Sequence, residues 1–300
     1  MTQFNAYLTE EVVEDYSDGM LSRREALRRL GLLGVAMTVA SMLLAACDAA
    51  NQDGTGGPAP GSSEGAAPAG PTPLTTEAVT FDGPQGRELQ GAWAAADGPR
   101  GSILVVHENR GLTDHIRSVA GRLAASGYSA LAVDLLSEEG GTASFKDEGE
   151  VTAALNGVPD TRFVADMKAA IGELERRTPD AKIGAVGFCF GGAMVWTLLA
   201  SGEPRLAAAA PFYGPLPEGA DLAGSRNAAV LGIYAEQDTR VNASRDAANM
   251  ALERAGLTHE IVTYPNAGHA FFNDTGQRYN PAAAAAAYTK LLDWFGSHLG

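Results

Sequence analysis

The chain has 300 residues, of which 45% are hydrophobic and 19% charged, a composition typical of a globular protein with one large domain or two small ones. Acidic residues outnumber basic ones 36 to 22, and the formal net charge of -14 argues against an electrostatic nucleic-acid-binding surface. The two cysteines, Cys47 and Cys189, are too few for a disulfide framework or a cysteine-cluster zinc site.

Residues 1–47 have the pattern of an export signal rather than of a folded domain. Arg23-Arg24 precede an uncharged run of 17 residues, Leu30 to Ala46, which is short for a membrane-spanning helix. The paired arginines resemble a twin-arginine export signal, and Leu44-Ala45-Ala46-Cys47 resembles a bacterial lipobox with Cys47 as the lipidated residue. We therefore expect an exported lipoprotein, tethered to the membrane through Cys47 on the cell surface or the periplasmic side. An uncleaved anchor helix with an incidental cysteine is the alternative.

Two further regions follow along the chain. Residues 48–75 are rich in Gly, Ala, Pro and Ser and lack apolar periodicity, which predicts a flexible tether without regular structure. From residue 76 to residue 300, short apolar runs alternate with helical patterns, which predicts a single α/β domain with a mostly parallel sheet. The predicted strands span 78–81, 88–95, 102–107, 129–134, 182–188, 206–213, 229–235 and 260–264, and the clearest helices span 113–126, 162–177, 191–201, 242–255 and 281–298.

The sharpest motif is a strand-to-helix turn centred on Cys189. An apolar, β-branched run ending at Phe188 leads into Gly-x-Cys-x-Gly-Gly and then into a helical stretch. Glycines flank such a nucleophile elbow because side chains would clash there, and the helix N-terminus stabilises a thiolate. The backbone N–H of Phe190 would point toward the same place, where it could bind an oxyanion. A small buried cysteine in a tight turn is the alternative reading.

Two acid–base candidates lie downstream at predicted strand ends. Asp238 follows an apolar strand 49 residues after Cys189, and His269 follows another strand 31 residues later. This chain order of nucleophile, acid and histidine is that of α/β-hydrolases, in which the acid orients the imidazole and the imidazole deprotonates the nucleophile. The order therefore predicts a Cys-His-Asp triad, whereas an isolated Asp or His would more often be a turn or surface residue.

Together these motifs resemble the dienelactone hydrolase (carboxymethylenebutenolidase) family of α/β-hydrolases over nearly all of residues 76–300. The resemblance extends to His107-Glu108-Asn109-Arg110 after the third strand, to Phe212-Tyr213-Gly214 and to the alanine-rich last helix. It implies an α/β-hydrolase fold with one doubly wound, mostly parallel sheet of about eight strands and helices on both faces. It also implies hydrolysis of small lactones or esters through an acyl-thioester, with no cofactor and no metal.

The resemblance also implies roles for individual residues. Beside the triad, Glu108 would hold the resting thiol neutral until substrate displaces its carboxylate, although a helix-capping role is the alternative for this glutamate. The backbone N–H groups of Asn109 and Phe190 would bind the oxyanion. The candidate substrate-binding residues are Arg110, Tyr213 and Asn273, of which Asn273 stands where the family has a substrate-binding arginine.

Two other functions remain open from the sequence. One is a broader thiol esterase or peptidase, and the other is a non-catalytic binding lipoprotein built on a hydrolase fold. The sequence implies a small lactone or ester as substrate and the membrane as the site of attachment, with neither nucleic acid nor a protein partner.

Overall fold

The computed structural model describes residues 3–52 and 67–300, and a single eight-stranded sheet forms its centre. The strands are β1 (Glu77–Asp82), β2 (Glu88–Ala94), β3 (Gly101–Val106), β4 (Tyr128–Asp134), β5 (Ile183–Phe188), β6 (Leu206–Phe212), β7 (Ala229–Ala235) and β8 (His259–Tyr264). Their spatial order is β1-β2-β4-β3-β5-β6-β7-β8. β2 pairs antiparallel with both β1 and β4, and every other pair is parallel. The predicted single, mostly parallel sheet is confirmed.

Ten α-helices accompany the sheet in the described part of the chain. They are α1 (Gln3–Ser17), α2 (Arg23–Leu32), α3 (Met37–Gln52), α4 (Asp114–Ala125), α5 (Glu148–Asn156), α6 (Asp160–Arg177), α7 (Phe190–Ala200), α8 (Thr239–Asn242), α9 (Arg245–Ala255) and α10 (Pro281–His298). The helix expected over residues 242–255 begins only at Arg245, as α9, and the short helix α8 precedes it. α8 starts after Asp238, whose side chain accepts a hydrogen bond from the N–H of Val241.

Every residue of β3, β4, β5 and β7 is buried, as expected of parallel strands covered by helices on both faces. The helices α4, α6, α7 and α10 pack on the sheet. Since the strands from β3 to β8 run in the same direction, their carboxyl ends meet at one edge. That edge is where ligands bind in open α/β sheets.

The N-terminal helices α1, α2 and α3 pack against one another, and α1 and α2 also contact α5. The uncharged run from Leu30 to Ala46 is divided, because α2 ends before Gly34, whose φ of 80° is a left-handed conformation that suits glycine. None of the helices in residues 3–52 and 67–300 has the length and apolar character needed to cross a membrane.

The segment predicted to be a tether differs in part from expectation. α3 continues through residues 48–52, where the Asp48 carboxylate accepts hydrogen bonds from Tyr16 and Arg23, each at 2.5 Å. Residues 53–66 lie outside the described residues. Residues 67–76 have no helix or strand but lie on the domain, since the Ala69 carbonyl accepts a hydrogen bond from Arg122 at 2.8 Å.

Candidate functional site

The predicted site residues come together at the carboxyl edge of the sheet. Glu108 follows β3, Cys189 follows β5, Tyr213 follows β6, Asp238 follows β7 and His269 follows β8. All five side chains are buried. The strand-end positions inferred from the sequence therefore gather five residues from distant parts of the chain into one place.

The turn at Cys189 has the geometry of a nucleophile elbow. Cys189 has φ 55° and ψ -118°, a strained conformation for a residue with a side chain, and α7 begins at the next residue. A Cβ on Gly187 would lie 2.1 Å from the carbonyl oxygen of Gly191, and one on Gly191 would lie 2.3 Å from the carbonyl oxygen of Val106. The turn can therefore pack this closely only with glycine at these two positions.

Asp238 and His269 form a buried acid–base pair. Nδ1 of His269 lies 2.6 Å from Oδ2 of Asp238, and neither side chain is exposed to solvent. Burial opposes a charge on the imidazole, but the Asp238 carboxylate and the ionised form of Cys189 raise the pKa of His269 well above its ordinary value. Burial likewise opposes ionisation of Asp238, yet the facing imidazole holds the pKa of Asp238 below its usual range. The pair thus stabilises the imidazolium that forms when His269 accepts a proton.

The thiol of Cys189 contacts two residues of the N-terminal helix α1 in addition to residues at the sheet edge. Its Sγ lies 3.2 Å and 3.4 Å from the two carboxylate oxygens of Glu11 and 3.3 Å from the hydroxyl of Tyr7. Burial and the negative charge of Glu11 raise the pKa of Cys189 to about 11. The resting thiol is therefore neutral and donates its hydrogen to a carboxylate.

Glu11 also faces His269. Its Oε1 lies 3.7 Å from Nε2 of His269, and ligand atoms of Glu11, Cys189 and His269 all lie within 4.8 Å of one another. These three side chains have the donor atoms and the spacing to ligate a metal ion. The same short distances also suit an acid, a thiol and a base that exchange protons.

Glu108 is buried in the site but bonds to Asn273. Its Oε2 accepts a hydrogen bond from Nδ2 of Asn273 at 2.6 Å, and its Oε1 has no hydrogen-bond partner among the described residues. The sequence predicted that Glu108 would pair with the thiol, whereas the carboxylate at the sulfur is that of Glu11. The reason is that α1 covers the site and brings its own glutamate closer to Cys189.

The remaining predicted residues surround the thiol at different distances. Asn109 and Arg110 line the same cavity as Cys189, and Arg110 forms an ion pair with Glu148 at 3.2 Å. Phe190 occupies the first position of α7. The Tyr213 ring lies edge-on to His269 with centroids 5.3 Å apart, and its hydroxyl has no hydrogen-bond partner in the described part of the chain.

Cys47, the predicted lipidation residue, lies on α3 and is half-buried, away from the contacts of Cys189.

Two arginines that lie at the mouth of the site were not identified from the sequence. Arg240 lies two residues after Asp238 in the sequence, and Arg278 lies nine residues after His269. The Nε of Arg240 lies 3.2 Å from a carboxylate oxygen of Glu14. Arg278 binds Asp15 at 2.8 Å and Asp18 at 2.6 Å. A signal existed in the sequence, because acids at 11, 14, 15 and 18 share one face of a helix.

Comparison with known proteins agrees with this architecture. Residues 89–299 match the model of the dienelactone hydrolase family. A protein of Salmonella typhi named "Putative carboxymethylenebutenolidase" is 34% identical over 261 residues, covering 80% of this chain and 96% of the relative. One from Escherichia coli with the same name is 35% identical over 217 residues, covering 68% of this chain and 80% of the relative.

Solved structures match as well. A crystal structure described as a "Putative Dienelactone Hydrolase" from Klebsiella pneumoniae has a TM-score of 0.65 and 32% identity, with 75% of this chain and 100% of that chain covered. The "Dienelactone Hydrolase-like Promiscuous Phospotriesterase P91" from metagenomic libraries has a TM-score of 0.65 and 28% identity, with 76% and 100% covered. The chain therefore belongs to the dienelactone hydrolase family and is a hydrolase with the α/β-hydrolase fold.

Proposed function

We propose that the protein hydrolyses small lactones or esters, with Cys189 as nucleophile, His269 as general base and acid, and Asp238 as the residue that orients the imidazole. The observation that carries this proposal is the Asp238–His269 pair at 2.6 Å, with the sulfur of Cys189 close to the imidazole at the same sheet edge. Membership of the dienelactone hydrolase family supports an ester or lactone as substrate.

The proposed reaction begins when His269 takes the proton of the Cys189 thiol. The thiolate adds to the carbonyl carbon, and the resulting oxyanion accepts hydrogen bonds from the backbone N–H groups of Asn109 and Phe190. The C–O bond then breaks, and the leaving alkoxide takes the proton from the imidazolium. His269 next deprotonates a water molecule that attacks the thioester, which releases the acid and restores the thiol.

Burial and the Glu11 carboxylate together raise the pKa of the Cys189 thiol, and substrate binding can relieve the second of these two causes. A substrate carbonyl placed at the sulfur would displace the Glu11 carboxylate, and the loss of that charge favours the thiolate. Glu108 and Asn273 would then line the acyl pocket beside Arg110 and Tyr213, which we propose as substrate contacts.

The proposal is tested by a hydrolysis screen over lactones and activated esters, with the wild-type chain and the Cys189→Ala variant. We expect hydrolysis by the wild-type chain and none above background by Cys189→Ala. Equal rates for the two proteins would exclude Cys189 as the nucleophile. Asp238→Asn provides a second variant that leaves the thiol in place but weakens the base.

We also propose that the mature protein is exported and tethered through lipid on Cys47. Support comes from Arg23-Arg24, the uncharged run up to Ala46 and the Leu-Ala-Ala-Cys junction. Intact mass measurement on protein purified from membranes of the source organism should give a diacylglycerol-modified Cys47 as the first residue. A retained Met1 in that preparation would contradict the proposal.

A further inference from the structure

We propose that α1 is an inhibitory segment that occupies the active site of the full-length chain and competes with substrate, so that the enzyme works only when α1 leaves. This inference rests on the proposed function, because inhibition by α1 has an effect only if the site it covers is the one that hydrolyses the substrate. It is carried by the contacts of α1 with the thiol, with the imidazole and with two arginines at the mouth of the site.

The carboxylate of Glu11 lies where the substrate's ester group would have to lie. A thiolate attacks a carbonyl carbon from about 3 to 3.5 Å. The two oxygens of Glu11 lie 3.2 Å and 3.4 Å from Sγ of Cys189, so they occupy the space that this carbon would need. A carboxylate has the planar shape of an ester, but it is a poor electrophile because its charge is delocalised over both oxygens. Glu11 therefore fills the reaction position without being able to react.

Neighbouring groups on α1 close the site further. The hydroxyl of Tyr7 lies 3.3 Å from the same sulfur, and Leu8 and Val12 are buried in the hydrophobic core. The cavity that remains beside Glu11 and Cys189 has a volume of about 240 Å³. Ligand pockets usually have about 300 to 1,000 Å³, so the space left is small for a substrate and its leaving group.

Electrostatic contacts hold α1 in this position. Arg278 is almost fully buried and binds the carboxylates of Asp15 at 2.8 Å and Asp18 at 2.6 Å. Arg240 lies over the ring of Tyr7, with its guanidinium 4.4 Å from the ring centroid, and contacts Glu14 at 3.2 Å. Arg240 lies in α8, directly after the candidate acid, and Arg278 lies in the loop that carries the candidate base. The acidic face of α1 is therefore matched by charge to the mouth of the site.

α1 is additional to the family's domain. The family match begins at residue 89, after all three N-terminal helices. The Klebsiella pneumoniae structure is covered completely by 75% of this chain, so at least a quarter of the chain has no counterpart there. Removal of residues 1–46 at the proposed lipobox would take α1 away and open the site after export.

The first experiment measures access to Cys189 in the full-length chain. Every protein carries Cys47→Ser, so that an alkylating reagent reports Cys189 alone. The Asp15→Lys/Asp18→Lys double variant places like charges against Arg278, and Glu11→Gln removes the charge at the sulfur. Glu10→Lys is the matched control, because Glu10 is an exposed residue of the same helix.

We expect alkylation and ester hydrolysis to rise about tenfold in the double variant, which is the gain on full opening of a site that is available in about one-tenth of the parent molecules. Glu11→Gln should raise the alkylation rate and lower the thiol pKa, because it removes the negative charge beside the sulfur. The control should match the parent chain. Equal alkylation rates in the parent, the double variant and Glu11→Gln would overturn the proposal.

A second experiment supplies α1 from outside. A synthetic peptide of residues 6–21 is added to the double variant, whose own helix is displaced. We expect the peptide to raise KM for the ester without changing kcat, and to slow alkylation of Cys189. The same peptide with Gln at position 11 should act more weakly. No effect of either peptide at millimolar concentration would contradict a competitive segment.

The two proposals fail in distinguishable ways. If no variant hydrolyses any ester while alkylation still rises in the double variant, the proposed function is wrong and the covering role of α1 stands. If hydrolysis depends on Cys189 but is equal in the parent chain and in the double variant, the triad stands and the inhibitory role of α1 is wrong.

Discussion

The tight packing of the nucleophile turn can be tested by Gly191→Ala. Gly191 lies in α7, and its backbone conformation is open to any residue, so only contacts decide the effect. An added Cβ would lie 2.3 Å from the Val106 carbonyl oxygen and 2.5 Å from that of His107. Real Cβ contacts are essentially never below 3.0 Å, so α7 and the end of β3 must separate by at least 0.7 Å.

The size of the effect follows from this displacement. Overpacking a well-packed interior costs about 1 to 3 kcal/mol, which for a domain of this size corresponds to about 2 to 12 °C in Tm. The displaced strand end leads directly to Glu108 and Asn109, and a misplacement of about 1 Å can lower a rate about 100-fold. We therefore expect Gly191→Ala to lose both stability and kcat/KM.

Thermal unfolding and ester hydrolysis measure the two losses. Gly172→Ala serves as the control, because its Cβ would meet only Nη1 of Arg205 at 3.9 Å and because alanine stabilises a helix interior by about 1 kcal/mol relative to glycine. The control should keep its kcat/KM and unfold at the same or a higher temperature. A Gly191→Ala protein with the Tm and kcat/KM of the wild type would refute the packing argument.

Three further predictions concern the charged groups of the site. Asp238→Asn removes the charge that raises the pKa of His269, so the imidazole pKa should fall in an NMR titration and kcat should drop by about 10² to 10⁴. Asn273→Ala removes the side chain that donates a hydrogen bond to the buried Glu108, so the free energy of unfolding measured in urea at pH 7 should fall by about 1 to 3 kcal/mol. An unchanged free energy of unfolding would contradict a stabilising role for this hydrogen bond. Since burial and Glu11 raise the pKa of Cys189 to about 11, the alkylation rate of the full-length chain should still be rising at about pH 10; a half-maximal rate at about pH 8.5 would show an unperturbed thiol.

The fold and the strand-end positions of the site were predictable because both depend on local patterns. The eight apolar runs correspond to the eight strands, and the Gly-x-Cys-x-Gly-Gly turn follows β5 as expected. In a parallel sheet, residues that follow successive strands meet at one edge, which brings Cys189, Asp238 and His269 together without further information.

The position of α1 was not predictable by the same reasoning. An N-terminal segment before paired arginines has the pattern of a signal, and periodicity alone does not say that its acidic face docks on the domain. The acids that bind Arg240 and Arg278 are more than 220 residues away in the chain. The expected contact between Glu108 and the thiol was replaced for this reason, since it depended on which segment covers the site.

The central claim, that Cys189 carries the acyl group during hydrolysis, is tested most directly by trapping the intermediate. The full-length chain and the Asp15→Lys/Asp18→Lys variant are mixed with an activated ester, quenched in acid within the first turnovers and digested for peptide mass spectrometry. We predict the mass of the acyl group on the peptide containing Cys189, and its absence from the Cys189→Ala protein. Steady hydrolysis with no acyl group on Cys189, or with the acyl group on another residue, would contradict the account.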